Sequence, residues 1–500
     1  MSESAVREIA KLPGPPRRAM LANMREADRG ALHLAVERWS ERYGPIFRFD
    51  LGPRRIVGIA DTDAINEVLR DRPHGFGRWR EIGRVFEEQG MPNVFSVEGA
   101  DWQRQRRLAV TALNSNHLRR YFDVVRTAAE RLDRRLCDAA RGGESFDIRP
   151  VLRTFTTDVI TALAFGVDLN TLGQDGEQLQ AHTMRVFQMA ARRLVAPVPY
   201  WRWVRLPADR ALDRSLAVVH RAVAGFIEQA RARMAARPEL LQAPENMLEA
   251  MLAAQAEDGS FSEREVVGNT LGFLLAGEDT TAYTMAWTIW LLACRPQIQA
   301  RWAREAQEVL GQASVPVDYE AISRLRYGEA VLRESLRLEP VVPIHLAQAL
   351  ADTVLLDTHI PAGTRLVLVS RLAGLRAVSR AGELDPERWL KDDAEKQQTG
   401  RASGSRTGGA APDQKSFLAF GAGPRFCPGR NLAFLEAKCA LAMIASRFQV
   451  ELDQSAPPVQ ESLAFTMIPK GLRVRLRERG TDAQRPTHVS AGVAEVGGGA

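Results

Sequence analysis

The 500-residue chain reads as a mainly helical protein with a small β-rich lobe, and three observations predict this class. Apolar residues recur at three- and four-residue spacing across residues 102–338, the period of helices with one buried face. Strand-like alternation is confined to short runs outside that stretch, at Ile46–Leu51, Arg54–Ile59, 354–356 and 366–369. A glycine-rich bend at 420–429 then sets Cys427 directly ahead of one more helical run, in which Leu432, Leu435, Cys439 and Leu441 fall at roughly helical spacing.

Taken in chain order, residues 1–12 carry charges without a long apolar stretch and are expected to be flexible, and the proline cluster at 13–16 opens the folded part. A helical pattern over 17–43 leads through Gly44-Pro45 into a hairpin of Ile46–Leu51 and Arg54–Ile59, turned at Gly52-Pro53, and then into a helix over 64–69. The long helical region is broken at Gly142-Gly143 and by the proline-bearing stretch 197–207. Ser262 followed by Glu265 makes a capping box, and no proline occurs again until Pro296. A helix of about thirty residues, roughly 45 Å long, is expected there. The strands at 354–356 and 366–369 bracket the turn Pro361-Ala362-Gly363-Thr364. Residues 391–415 are polar and glycine-rich and read as a mobile insertion, and 480–500 as a disordered tail. Motifs from Trp102 to Cys427 that serve one site make 13–479 a single domain.

With 45% hydrophobic and 26% charged residues, the composition is that of an ordinary globular protein. The net charge of +6 and pI near 9.3 do not indicate nucleic acid as a partner. The arginines (Arg78, Arg80, Arg104, Arg106, Arg107, Arg119, Arg120) are dispersed, the pattern of a solvated surface, with no basic tail or aromatic-interleaved motif. Four cysteines without paired spacing fit a reducing compartment and a cytoplasmic protein. Residues 1–20 hold no apolar run long enough for a signal peptide or membrane anchor.

The Cys427 bend carries the chemistry. Gly421 and Gly423 let the chain turn so that main-chain N–H groups face the sulfur, and Pro428 suits a first helical turn. A helix N-terminus there stabilises negative charge on the thiolate. One supporting cation, Arg425, and no second cysteine within four residues leave out zinc and iron–sulfur sites, which need clustered ligands. An axial haem ligand fits, with a buried structural cysteine as the plainer alternative. The pattern Phe-x-x-Gly-x-Arg-x-Cys-x-Gly, at Phe420, Gly423, Arg425, Cys427 and Gly429, resembles the haem-binding signature of the cytochrome P-450 superfamily.

Other motifs line up with that resemblance. At the middle of the long helix stands Ala276-Gly277-Glu278-Asp279-Thr280-Thr281, similar to the superfamily's oxygen-activation motif, which implies Asp279 as the acid and Thr280 as the alcohol beside the haem. Dioxygen cleavage consumes two protons, so a hydroxyl near the metal and a carboxylate communicating with water make a relay. Gly277 permits local widening of the helix, and the Thr280 hydroxyl can bond the Ala276 carbonyl. A back-bonded threonine beside a solvated acid is the bland alternative. Glu334 and Arg337, one helical turn apart, resemble the superfamily's Glu-x-x-Arg helix, with Arg388 as its partner, and imply a structural charge network. Trp102 and Arg106 share a helix face and resemble the family's propionate-binding pair, with Arg425 as a third partner; a surface Trp/Arg pair is the alternative.

Two departures stand out. Between Arg337 and Arg365 there is no Lys or Arg, so His345 is the nearest cationisable candidate for the usual propionate cation, or else a core or pocket histidine. The usual His-Arg-Asp stretch before the partner arginine reads Leu375-Arg376-Ala377-Val378-Ser379-Arg380. The resemblance, over 13–476, implies a triangular helical prism around a buried haem b, of the soluble bacterial type. It implies a monomeric monooxygenase that hydroxylates or epoxidises an apolar molecule with dioxygen and electrons from a separate ferredoxin and its NAD(P)H-dependent reductase. A positive patch near the haem edge would attract such an acidic carrier. Phe76, Trp79, Phe86, Phe95, Tyr200, Trp201, Trp203 and Phe273, with 341–346, fall in family substrate-contact regions, though each aromatic also suits the core. A peroxide-driven peroxygenase or haem-thiolate isomerase is the rival reading among enzymes, and a haem-based gas sensor the rival outside them.

Overall fold

The spine of the molecule is the helix Glu263–Ala293, and its start follows from two side chains. The Ser262 hydroxyl accepts from the Glu265 amide at 3.3 Å while the Glu265 carboxylate accepts from the Ser262 amide at 2.9 Å, closing the expected capping box. The computed structural model describes residues 6–16, 30–172, 177–378, 380–391 and 415–480. The helical reading of 17–29, residue Ser379, and almost all of the expected insertion and tail lie outside the described residues.

The spine is apolar nearly all round, and Leu271, Leu274, Ala282, Met285 and Trp287 are buried, as in a helix enclosed by others. It packs most extensively on Arg149–Phe165 and also against Arg430–Arg447. A Cβ at Gly277 would come within 2.7 Å of the Ile160 side chain, so this glycine admits a neighbouring helix. The expected local widening does not occur, because the helix runs unbroken through all 31 residues.

The β-rich lobe consists of β1 (Arg7–Glu8), β2 (Ile46–Leu51), β3 (Arg54–Ile59), β4 (Phe76–Gly77), β5 (His345–Ala349), β6 (Thr353–Leu355), β7 (Thr358–Ile360) and β8 (Arg365–Leu368). Five of them form one sheet in the order β2-β3-β8-β5-β4, with the expected hairpin pairing Ile46 to Ile59 and β3 running parallel to β8. The remaining three form the sheet β1-β7-β6. Residues 7–11 thus depart from the expected flexible start: Arg7 and Glu8 pair with Thr358 and His359, and Ile9–Lys11 is a turn of 3-10 helix. The exposed edge of β7 offers hydrogen bonds that the N-terminal segment takes. Beyond the lobe, β9 (Phe448–Leu452) pairs with β12 (Val474–Glu478), and β10 (Gln460–Leu463) with β11 (Met467–Lys470). The chain is mainly helical with small sheets, the class the sequence predicts.

Candidate functional site

The bend before Arg430–Arg447 needs its glycines. Gly421 and Gly423 have φ of +72° and +70°, and a Cβ at Gly423 would meet the Leu69 carbonyl oxygen at 2.5 Å. The Cys427 amide donates to the Phe420 carbonyl at 3.0 Å, which folds the loop back under the sulfur. The helix starts at Arg430, so Pro428 lies in the turn ahead of it and not in its first turn. Burial pushes the Cys427 thiol up; the amides of Gly429 and Arg430, with the charges of Arg106 and Arg430, pull it down. The sulfur therefore sits where a metal would complete what the amides begin.

Beside it lies a knot of positive charge. Arg425 stacks over the Trp102 ring at 4.4 Å, donates to the Val97 carbonyl at 3.2 Å and pairs with Glu98. Arg106, on the same helix as Trp102, donates to the Phe426 carbonyl. Trp102, Arg106, Arg425 and Cys427 are thus brought together as the sequence reading expected. Two arginines that it did not connect with the site join them. Arg72 is buried, and Arg78, read from sequence as part of a solvated surface, stacks over the Phe95 ring at 3.9 Å. Burial and the like charges of Arg72, Arg425 and Arg106 hold the Arg78 guanidinium well below its ordinary range, and burial brings Arg425 down to about 10.

Among the described residues, Glu98 is the carboxylate that acts on this cluster. Five buried donor atoms have no acceptor: Nε and Nη2 of Arg72, Nε of Arg78, and Nε and Nη1 of Arg425. Buried donors without acceptors are rare, and four guanidiniums against one carboxylate call for an anion. The two propionates of a haem held at Cys427 would offer these donors acceptors and offset most of that charge.

His345 reaches the cysteine loop, its Nε2 3.6 Å from where a Cβ on Gly421 would stand. Its Nδ1 lies 2.9 Å from the Ser370 hydroxyl, and burial together with Arg72 and Arg78 lowers its imidazole to about 3, which leaves it neutral. Arg72 and Arg78 are cations beside it that the sequence reading did not connect with the site.

On the spine, Ala276 is exposed and Thr280 half-buried, and the Thr280 hydroxyl donates to the Ala276 carbonyl at 2.7 Å as expected. Asp279 turns the other way. Arg153 Nε donates to Asp279 Oδ1 at 2.7 Å, the same guanidinium pairs with Glu278, and the Thr183 hydroxyl donates to Glu278 Oε2 at 3.0 Å. Burial pushes both carboxyls up against the pull of Arg153, and Asp279 raises Glu278 further, to about 8. Asp279 is therefore neither a solvated acid nor open to bulk water; it belongs to a buried triad. The Arg153 partner escaped sequence reading because it lies 126 positions away.

Glu334, Arg337 and Arg388 meet as expected, and the Trp389 indole and the Asp385 amide join them. Glu334 accepts from Arg337 Nε, Arg388 Nε and the Trp389 indole at 2.9 Å each, and from the Asp385 amide at 3.2 Å.

The family model described as Cytochrome P450 matches residues 12–476. The chain belongs to the cytochrome P450 family. It is accordingly a haem-dependent oxidoreductase of the monooxygenase class. Similar P450s include Protein LUTEIN DEFICIENT 5 of Arabidopsis thaliana, 26% identical across 87% of this chain and 72% of that protein. Putative cytochrome P450 CYP13A3 of Caenorhabditis elegans is 24% identical across 89% of each chain. Carotene epsilon-monooxygenase of Arabidopsis thaliana is 27% identical across 85% and 78%.

Among the described residues no helix is long and apolar enough to cross a membrane. The aromatics expected at a P450 substrate pocket divide. Phe76 lies in the lobe core, and Trp79 donates to the Ala347 carbonyl at 2.8 Å. Trp201 donates to Glu88, Trp203 is 73% exposed, and Phe273 is buried on the spine. Phe86 and Phe95 instead gather with Phe187 and Phe465, ring centroids 4.9 to 6.2 Å apart. Phe187 and Phe465 were not singled out in the sequence, because nothing local marks them as neighbours.

Proposed function

We propose that this P450 binds haem b through Cys427 and inserts one atom of dioxygen into an apolar molecule, hydroxylating or epoxidising it. The observation that carries the reading is the set of buried, unpartnered guanidinium donors beside a lone amide-supported cysteine. Haem, when bound, supplies dioxygen activation assisted by electron donation from its thiolate ligand. Arg72, Arg78, Arg106 and Arg425, with Trp102, hold the propionates; Phe420 and Gly429 frame the ligand loop; His345 fills space as a neutral ring. Thr280 presents a hydroxyl on the exposed side of the spine, and behind it the buried Asp279 carboxyl is tethered by Arg153. The cluster of Phe86, Phe95, Phe187 and Phe465 excludes water and favours an apolar guest.

Electrons then come singly from a separate carrier, a ferredoxin with its NAD(P)H-dependent reductase, drawn to the positive face around Cys427. A single soluble, monomeric domain, its start moved from the expected 13 to the paired strand Arg7–Glu8 and its end kept at 479, in a bacterial cytoplasm, is the setting this reading assigns, supported by scattered unpaired cysteines. One relative is named for carotene, which makes extended isoprenoids the first class to screen, ahead of fatty acids, steroids and polyketides. The test is a search for compounds that convert the ferric haem from low to high spin, followed by product analysis with a surrogate ferredoxin system. A compound that shifts the spin state and returns with one added oxygen supports the reading; turnover with peroxide alone supports the peroxygenase instead.

A further inference from the structure

The turn over 91–98, between the helices Arg80–Glu88 and Gly99–Ala112, sits directly against the spine. Gly268 and Gly272, one helical turn apart, make room for it. A Cβ would come within 2.1 Å of the Pro92 carbonyl oxygen at the first and 2.7 Å of the Asn93 side chain at the second. Between them Asn269, buried, commits both ends of its amide to the contact. Its Oδ1 accepts from the Val94 amide at 3.0 Å, and its Nδ2 donates to Gln105 Oε1 at 3.1 Å and to the Glu265 carbonyl at 2.9 Å. Gln105 in turn donates to the Glu265 carboxylate of the spine's capping box at 3.0 Å.

Within the turn, side chains bond to its own backbone. Asn93 Oδ1 accepts from the Phe95 amide at 2.9 Å, and the Ser96 hydroxyl accepts from the Asn93 amide at 3.1 Å. These bonds shape the turn without placing it; among the described residues, Asn269 is the spine side chain that hydrogen-bonds to it. What it places is the next residue along, Phe95. Arg78, one of the four guanidiniums beside Cys427, lies over that ring at 3.9 Å, and the rings of Phe86 and Phe465 lie 5.5 and 5.6 Å away. Phe95 therefore stands between the arginine cluster and the aromatic cluster.

We propose that Asn269 is a positioning residue of the apolar pocket: it holds the Val94 amide, which fixes Phe95 as a wall and so sets the length of guest the pocket accepts. The proposal rests on the reading of the aromatic cluster as the substrate pocket of a haem enzyme. Asn269 touches neither guest nor haem in this scheme and acts only through the turn. Without its carbonyl oxygen the Val94 amide loses its acceptor, and the turn is freed to move toward water, taking Phe95 with it. The pocket then lengthens on that side.

The experiment titrates haem-loaded wild type, Asn269→Leu and Gly272→Ala with imidazole, N-phenylimidazole and N-biphenylylimidazole, which ligate ferric haem and shift its Soret band. Asn269→Leu removes the hydrogen bond; Gly272→Ala keeps it and displaces the turn through the Cβ that meets Asn93. The two variants act by different routes, so either one that folds gives the test. Imidazole is too small to need the wall, and its affinity is expected to stay at the wild-type level. The preference for the biphenyl over the phenyl compound is expected to rise about fivefold in both variants, the scale of losing one aromatic contact. In a Phe95→Ala background, Asn269→Leu is expected to change that preference no further, since a residue that acts through Phe95 then has no wall to move. An unchanged preference, or an effect of Asn269→Leu that persists without Phe95, would overturn the proposal. A wild type whose Soret band does not move even with imidazole would overturn the haem reading, and the proposal with it.

Discussion

Two buried charge networks lie near the Cys427 loop, and they are built on opposite principles. Around Glu334 one carboxylate oxygen accepts three hydrogen bonds and the other two, from two arginines, an indole and a backbone amide, and a single buried donor, Nη2 of Arg388, is left over, 3.6 Å from Asp385, so the network is nearly closed. Around Arg425, four guanidiniums face one carboxylate, and five buried donors are left over. A nearly closed network serves the fold, because its carboxylate is already saturated. An open one is costly until an anion arrives, and that cost is the signature of a binding site.

The comparison breaks most visibly on the closed side. Glu334→Ala strands Arg337 and Arg388 in the interior and is expected to lower stability by about 3–5 kcal/mol, read from the urea midpoint. A variant that folds as well as wild type would show the network to be dispensable. On the open side the sign reverses. Replacing Arg72 and Arg425 by Met relieves like-charge repulsion, so the haem-free protein is expected to be no less stable. Haem transfer to apomyoglobin is expected to accelerate by roughly tenfold or more, about 1.5–3 kcal/mol for each charged hydrogen bond lost.

A third contrast is in pH. The folded chain holds a proton on the Glu278–Asp279 pair that the unfolded chain releases, since Glu278 moves from 4.5 up to about 8. Stability is then expected to fall as pH rises through that window, by up to about 1.4 kcal/mol per unit, and Glu278→Gln is expected to flatten the slope. His345 has the opposite sign. Its folded value of about 3 lies below the ordinary 6.5, so its contribution is whole above 6.5 and is lost as pH falls toward 3. The smallest effect is expected from His345→Gln at neutral pH: a neutral ring replaced by a neutral amide leaves haem retention nearly unchanged, as haem-transfer rates will show.

What could be read in the sequence was what lies close together along it. The Cys427 loop packs its turn glycines, its cation and its ligand into ten contiguous residues, and the spine declares its start through Ser262 and Glu265. The helical class and the first hairpin followed from periodicity. The pairing of β1 with β7 did not, because strands of two and three residues are shorter than any alternation they could display. Arg72, Arg78 and Arg153 were illegible for a related reason. Each is an ordinary charged residue in its own neighbourhood and becomes unusual only when the fold buries it against something distant. Gly277 was misread in the same way, since its reason, Ile160, lies on another helix.

The central claim is that the Cys427 thiolate binds haem iron in front of the open arginine cluster. Reduced protein under carbon monoxide tests it most directly, with wild type and Cys427→Ala reconstituted side by side. The account predicts the red-shifted Soret band of thiolate ligation in the wild type and its loss in the variant. A variant that keeps the band, or a folded wild type that takes up no haem, would contradict it.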